Sequence, residues 1–427
     1  MKIKIQRVDS NFEREALIRP FGFKGGYMSE IWQAIALLET GNENRQIGLG
    51  TQGILWSDAA VFAAHSETGG NALMYMLTER ALQMAKSIPF ENPIELLDAI
   101  IPELYAYGKT ISNNPNLRQT FILNSLVAVD NAAWLIYAQE NGIKDFDVMI
   151  PPAYRPALSH RHTQLASIPL MAYAIPIDEI KAAVEDGYFF MKIKIGQPGD
   201  QQQMLEKDMA RIAEIHQAIG HFETAHTQNH KIPYYFDANG RYESKAQLQK
   251  LLDFIEKIGA FDQIAIIEEP FPEDYEADVS DLGVRIAADE SAHTDDDARI
   301  RIEMGYGAIA LKPIAKTMSM SLKIADVAHK NSVPCFCADL TVTPILVDWN
   351  KNVAARLAPF PNLNLGLLET NGHQNYKRWQ ELVSFHPCSQ AQWTQTQKGL
   401  FHLDDDFYAK SGGIFMKSGH YQALFKA

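Results

Sequence analysis

The sequence predicts an α/β protein in which a parallel barrel of alternating strands and helices follows a smaller α+β segment. Three observations carry this. Residues 1–60 read as strands joined by turns, and a helical tract follows from about Asp58 to Gly142. After two proline-rich stretches, "MIPPAYRPALS" at 149–159 and "SIPL" at 167–170, the pattern changes to eight short apolar runs separated by helical stretches. A chain of 427 residues exceeds one ordinary core, and suits a barrel of about 250 residues with a second domain. An open doubly wound sheet is the alternative, but it would more often have about five or six strands and a phosphate-binding turn after the first.

The eight runs, in order, are "MAYAIPI", "FFMKIKIG", "IPYYFDANG", "IAIIEEP", "VRIAADES", "AIALKP", "VPCFCADL" and "LNLGLLET". The expected division is a capping segment at 1–148, the barrel at 149–375 and a tail at 376–427. That tail is rich in Trp, Phe and His, leaves the strand–helix rhythm, and is expected to fold back on the cap.

Composition narrows the function. Hydrophobic residues make up 46% and charged residues 21% of the chain, near the averages of globular proteins, so a large core is available. The net charge of -13, from 39 basic and 52 acidic residues, opposes nucleic acid and anionic membranes, because no basic excess can replace phosphate counterions. A small-molecule substrate is expected. The N-terminal "MKIKIQRVDSNFERE" has no apolar stretch of about 7–15 residues and no cleavage site. No later segment is uncharged and apolar over the ~18 residues of a membrane span, so a cytoplasmic protein is expected. The three cysteines, Cys335, Cys337 and Cys388, form no C-x-x-C and are read as reduced thiols.

The ends of the predicted strands are where barrel chemistry sits. They carry Lys192 and Lys194, Asp237 with Asn239, Glu268 with Glu269, Asp289 with Glu290, Lys312, Asp339, and Glu369 with Asn371. One polar residue at a strand end is unremarkable, since strands meet polar loops; seven ends converging on one mouth are a site. Asp237, Glu268 and Asp289 lie 31 and 21 residues apart, each spacing one strand–helix repeat. Three carboxylates in one pocket repel unless a cation neutralises them, and all-oxygen ligation favours Mg²⁺. Lys194 precedes this triad and Lys312 follows it, which would place an amine on either side of a metal-bound substrate. Lys192 adds a positive charge that favours a neutral, basic Lys194.

In this order, "FFMKIKIG", "FDANG", "IIEEPF", "AADES" and "ALKP" resemble the enolase superfamily, and within it the muconate-lactonizing-enzyme-like branch. The resemblance covers about 168–372, and "VAVDNAAWLIYAQENG" at 127–142 resembles the helix leading into the family's barrel. It implies a (β/α)7β barrel with an α+β cap built from both chain ends, and usually a homo-oligomer. It implies Asp237, Glu268 and Asp289 as Mg²⁺ ligands, Lys194 and Lys312 as paired acid/base groups, and Lys192 as an auxiliary lysine. The chemistry it implies is a Lys base working beside Mg²⁺, with the ion stabilising an enediolate. The substrate would carry a carboxylate.

The chain departs from the family in three places. After "ALKP" the family often has Gly-Gly, whereas this chain reads "IAKTMSMS". Where dipeptide epimerases carry Asp-x-Asp for a substrate ammonium, the eighth strand here reads "LLETNG", leaving Glu369 to pair with an ammonium. Asp339 stands where the mandelate-racemase and sugar-acid-dehydratase branch would carry His.

Two glycine-rich stretches bear on the cap. "GLGTQG" at 48–53 satisfies G-x-G-x-x-G, but no βαβ unit or ribose-binding acid follows, which argues against a dinucleotide. By the resemblance this stretch and "RPFGFKGGYMSE" at 19–30 would be loops closing over substrate. In the latter, Gly22, Gly25 and Gly26 allow motion, and Phe21, Phe23 and Tyr27 can exclude water. Asn239, Asp339 and Glu369 complete the expected substrate contacts. The histidines of "SHRHT" (159–163) and "HFETAHTQNH" (221–230) are assigned to linkers away from the mouth.

The expected function is a Mg²⁺-dependent racemase or epimerase acting alpha to a carboxylate, on a dipeptide or an N-acylated amino acid. A cycloisomerase or an o-succinylbenzoate-synthase-like lyase on the same scaffold is the alternative, since these need one lysine as base. An acid-sugar dehydratase and a non-catalytic carboxylate-binding barrel rank below them.

Overall fold

The computed structural model of the chain describes residues 2–23 and 26–425, with the side chain of Phe23 left out. Gly25, expected to give the first cap loop its mobility, and the Phe23 ring, expected to shield substrate, therefore lie outside the described residues.

The cap begins with a three-stranded antiparallel sheet, β1 (Ile5–Phe23), β2 (Gly26–Thr40) and β3 (Arg45–Gln52). Three helices cover it: α1 (Ala59–Ser87), α2 (Pro93–Ser112) and α3 (Gln119–Glu140). The first two start at side-chain caps, with Asp58 accepting from the amides of Ala60 and Val61, and Asn92 from those of Ile94 and Glu95.

Against β3, α3 packs so closely that a Cβ at Gly48 would lie 2.1 Å from the Ala128 carbonyl oxygen, and one at Gly50 would lie 2.6 Å from the Ala128 nitrogen. The expectation that 48–53 forms a lid is thereby corrected. These glycines are interior contacts between a strand and a helix, and only the segment from Gly53 to Trp56 reaches the barrel mouth. The same helix bears on a second expectation without overturning it, since Asp130 interrupts its apolar run. By length and composition α3 could cross a membrane, but 94% of its apolar window is buried inside the fold, because it is the core helix of the cap.

The barrel is built from β4 (Gln164–Ile168 and Leu170–Met171), β5 (Met191–Lys194), β6 (Tyr234–Asp237), β7 (Ile264–Glu268), β8 (Ile286–Ala288), β9 (Ala308–Leu311), β10 (Cys335–Cys337) and β11 (Gly366–Glu369). Every neighbouring pair is parallel. Closure happens at β4, whose first segment pairs with β11 and whose second pairs with β5.

The sequence places this strand at "MAYAIPI" and reads "SIPL" as a turn; the strand in fact runs through "SIPL". Pro169 is tolerated because it sits where β4 changes partner, and its carbonyl still accepts from the Lys192 amide at 3.0 Å. Helices α4 (Ile177–Glu185), α5 (Gln201–Ile219), α6 (Lys245–Lys257), α7 (Asp295–Glu303), α8 (Met318–Lys330) and α9 (Pro344–Ala354) fill the connections. The link from β7 to β8 carries a 3-10 turn, Ser280–Leu282, in place of an α-helix.

Beyond the barrel, β12 (Thr396–Gln397) and β13 (Leu400–His402) form a hairpin that pairs antiparallel with the start of β4. The last residues then reach the cap: His420 lies 2.9 Å from Glu13, and Arg45 donates to the Phe425 carbonyl at 3.1 Å. All three cysteines are free.

Candidate active site

Alternation along β5 sends Ile193 outward to the helices and Lys192 and Lys194 into the barrel. The Lys192 ammonium is enclosed, 2.8 Å from Glu268, 2.9 Å from Asp237 and 3.3 Å from Glu369. Burial by itself would lower its pKa; the three carboxylates outweigh that and hold it well above the ordinary lysine value. Lys192 is thus a fixed cation at the floor of the site. Lys194, one turn of the pleat closer to the mouth, donates to Asp237 at 2.6 Å and to the Asn239 side-chain oxygen.

The carboxylates stand on the next three strands. Burial pushes Asp237 up, but Lys192 and Lys194 prevail and bring it well below the usual carboxylate range. Glu268 moves the other way, raised by burial and then by the charge of Asp237, while the Tyr235 hydroxyl donates to it. Ligand oxygens of Glu268, Asp289 and Glu290 lie within 4.8 Å of one another, all buried. Glu290 takes one hydrogen bond, from Asn239 at 3.1 Å, and its other oxygen has no partner among the described residues. A crowded, desolvated set of oxygens with one left unpaired fits a hard divalent cation.

Lys312, at the end of β9, pairs with Asp289, and its ammonium lies 4.4 Å from the centre of the Trp56 ring. Asp289 also binds a lysine that the sequence pattern did not single out. Lys316 is fully buried and reaches the other Asp289 oxygen at 3.2 Å and the Ala292 carbonyl at 3.0 Å. It belongs to the unusual "IAKTMSMS" stretch; a lysine inside an apolar run, four residues after Lys312, was the available signal.

Two of the expected substrate contacts are otherwise engaged. Asp339 lines the chamber, yet its oxygens accept from the amides of Leu340 (2.8 Å), Val342 (3.3 Å) and Asn371 (2.8 Å). Burial and then the Glu369 charge raise its pKa to about 7. Glu369 accepts from Lys192, from the Asp339 amide at 3.1 Å, and from the Asn371 side chain at 3.4 Å. Both are tied to the protein itself because the two strands end side by side and each turn needs acceptors for its amides.

The ceiling comes from the cap: Phe21, Met28, Ile31, Gly53 and Trp56, with Leu170 and Leu340 from the barrel. Tyr27, expected in this ceiling, is corrected: it is 69% exposed, because in β2 it alternates with the buried Met28. The enclosed space is about 50 Å³. In the closed ring of eight strands, β5 and β9 are separated by three strands on either side, so Lys194 and Lys312 stand across the mouth from each other.

Residues 177–384 match the family model described as enolase C-terminal domain-like. No curated protein matches the chain. Among solved structures, the dipeptide epimerase from Enterococcus faecalis V583 complexed with Mg and the dipeptide L-Leu-L-Tyr is 19% identical, with 95% of this chain and 98% of that one covered and a TM-score of 0.60. The L-Ala-D/L-Glu epimerase from Bacillus subtilis is 18% identical over 88% and 92% of the two chains, TM-score 0.60. The N-succinyl Arg/Lys racemase from Bacillus cereus ATCC 14579 is 18% identical over 88% and 89%, TM-score 0.59. At such identities the likeness is one of fold. Residues 177–384 thus carry an enolase C-terminal domain-like domain, and the chain as a whole shares the cap-and-barrel fold of these structures.

Proposed function

We propose that this protein is a Mg²⁺-dependent racemase or epimerase that removes and returns a proton on the carbon alpha to a substrate carboxylate. The observation that carries this reading is the pair of lysines facing each other across the mouth, each with a carboxylate partner of its own. One-sided proton transfer needs a single amine; inversion needs one on each face.

A feature of the pairing supports reversible transfer. Asp237 is shared by Lys194 and Lys192, and Asp289 by Lys312 and Lys316. When either mouth lysine gives up its proton, a second, buried lysine still contacts its carboxylate. Without those second lysines, each deprotonation would strand a buried charge, at a cost of about 3–5 kcal/mol.

Asp237, Glu268 and Asp289, with Glu290 beside them, are the residues that would hold Mg²⁺. Bound there, the ion would serve as a Lewis acid for the substrate carboxylate and make the neighbouring carbon acid easier to ionise. The apolar ceiling of Phe21, Met28, Ile31 and Trp56 keeps water from the reacting carbon. A space of about 50 Å³ holds little more than one or two waters. Substrate therefore enters by displacement of part of this ceiling.

The test is proton exchange in deuterated water with Mg²⁺ and a panel of dipeptides and N-acyl amino acids, followed by NMR. Loss of the alpha proton from both enantiomers of one substrate is the expected result. Exchange from one enantiomer alone would instead assign a one-base cycloisomerase or lyase. Failure of Mg²⁺ to bind would remove the mechanism altogether.

A further inference from the structure

We propose that Trp56 selects the substrate, its indole N–H donating to an uncharged carbonyl oxygen on a carboxylic acid that carries no ammonium. This deepens the function proposed above and rests on it.

The first observation is an unspent donor. The Trp56 ring lines the chamber, is 6% exposed, and its Nε1–H has no hydrogen-bond partner among the described residues. Three other indoles do find acceptors: Trp32 pairs with Glu30 at 3.0 Å, Trp134 with Ser319 at 3.0 Å and Trp393 with Asp348 at 3.2 Å. A buried N–H without an acceptor is destabilising, and a ligand that supplies the acceptor recovers that loss.

The second is that Trp56 is held in place for such a task. Its carbonyl accepts from Arg118 at 2.8 Å, and Arg118 is anchored to Glu273 on the loop after β7. On either side of it, the Gly53 amide and the Ser57 hydroxyl both donate to Asn124, at 3.1 and 3.0 Å. These contacts fix the backbone that carries the indole, and the ring lies over Lys312, so an acceptor bound at its edge sits next to one of the two proposed acid/base amines.

The third is that, outside the acidic group assigned to Mg²⁺, the chamber's carboxylates leave no seat for a substrate ammonium. Asp339 and Glu369, in the wall between β10 and β11, accept from backbone amides, Lys192 and Asn371. The Asn371 oxygen accepts from Thr341 at 2.7 Å. The unpaired Glu290 oxygen belongs to the acidic group that fits the metal. The rest of the ceiling is apolar. A dipeptide's free amine would be buried without a counter-charge, whereas the same molecule with an uncharged acyl group would not.

Matched ligands separate the alternatives. Glycyl-L-leucine and N-acetyl-L-leucine have the same amide carbonyl and the same side chain, and differ by one ammonium; the methionine and phenylalanine pairs extend the set. With the full-length protein, Mg²⁺ and ¹⁵N-labelled tryptophan, the Trp56 indole resonance is assigned by its loss in W56F. The N-acetyl compounds are expected to shift that resonance, and to bind at least about tenfold more tightly than their glycyl counterparts, the weight of one buried charge left unpaired. In W56F, which keeps a ring over Lys312, affinity for the N-acetyl compounds should fall about tenfold. No shift with any N-acetyl ligand, or equal binding of the glycyl partners, overturns the inference. Binding with the shift but no alpha-proton exchange would instead overturn the racemase reading and leave the role of Trp56 standing.

Discussion

The pentapeptide Met-Lys-Ile-Lys-Ile occurs at 1–5 and again at 191–195, and its lysines have opposite surroundings. In the cap, Ile3 and Ile5 are buried while Lys2 and Lys4 face water. In the barrel, Ile193 and Ile195 are buried too, but the lysine face looks into the ring of strands, where Lys192 is 3% exposed and meets three carboxylates. Alternation is the same in both copies. A strand with one wet face makes lysine a solubilising residue, whereas a strand enclosed on both faces makes it part of an internal charge balance.

The sharpest way to break this comparison is Lys194→Ala, expected to lower turnover by about 10³-fold or more while isothermal titration still detects Mg²⁺ binding; turnover near wild type would show that the barrel copy is as passive as the cap copy. Next in size is Lys192→Met. Removing the shared cation should cost about 3–5 kcal/mol in urea unfolding without metal, and added Mg²⁺ should restore part of it, since the ion relieves the same carboxylates.

A third prediction concerns Asp339, raised from an ordinary 3.8 to about 7 by burial and by Glu369. Between those values the folded chain keeps a proton that the unfolded chain has released. Its contribution to stability is therefore complete below 3.8 and is lost as pH rises through about 7, by a few kcal/mol. D339N should flatten that part of the stability profile, and an unchanged slope would mean the carboxylate is ionised in the folded chain. The smallest effect is reserved for the other copy: Lys2→Met and Lys4→Met should each change stability by no more than about 0.5 kcal/mol and leave exchange rates alone.

Much of the site was legible because its residues repeat at strand–helix spacing. Asp237, Glu268 and Asp289 announce themselves as acids that close apolar runs. Trp56 and Lys316 carry no such rhythm. Trp56 follows a glycine-rich strand whose glycines serve the packing of α3, so the motif drew attention to the wrong atoms. Tyr27 and Phe21 looked equivalent in one loop, and only the pairing of β1 with β2 separates an outward ring from an inward one.

The sequence by itself determined the order of strands and helices, the side of each strand on which a charge falls, and which residue types end the barrel strands, because these follow from local periodicity and from where apolar runs stop. Only the tertiary structure decided how those charges are divided. The contacts of Lys192 with Glu268 and Glu369 span 76 and 177 residues of chain. The turns at Asp339 and Glu369 consume the very carboxylates that a sequence offers to a substrate. Those outcomes depend on closure of the ring and on which buried amide or ammonium lies nearest, and a hydrogen bond responds to that distance in space, which residue order leaves open.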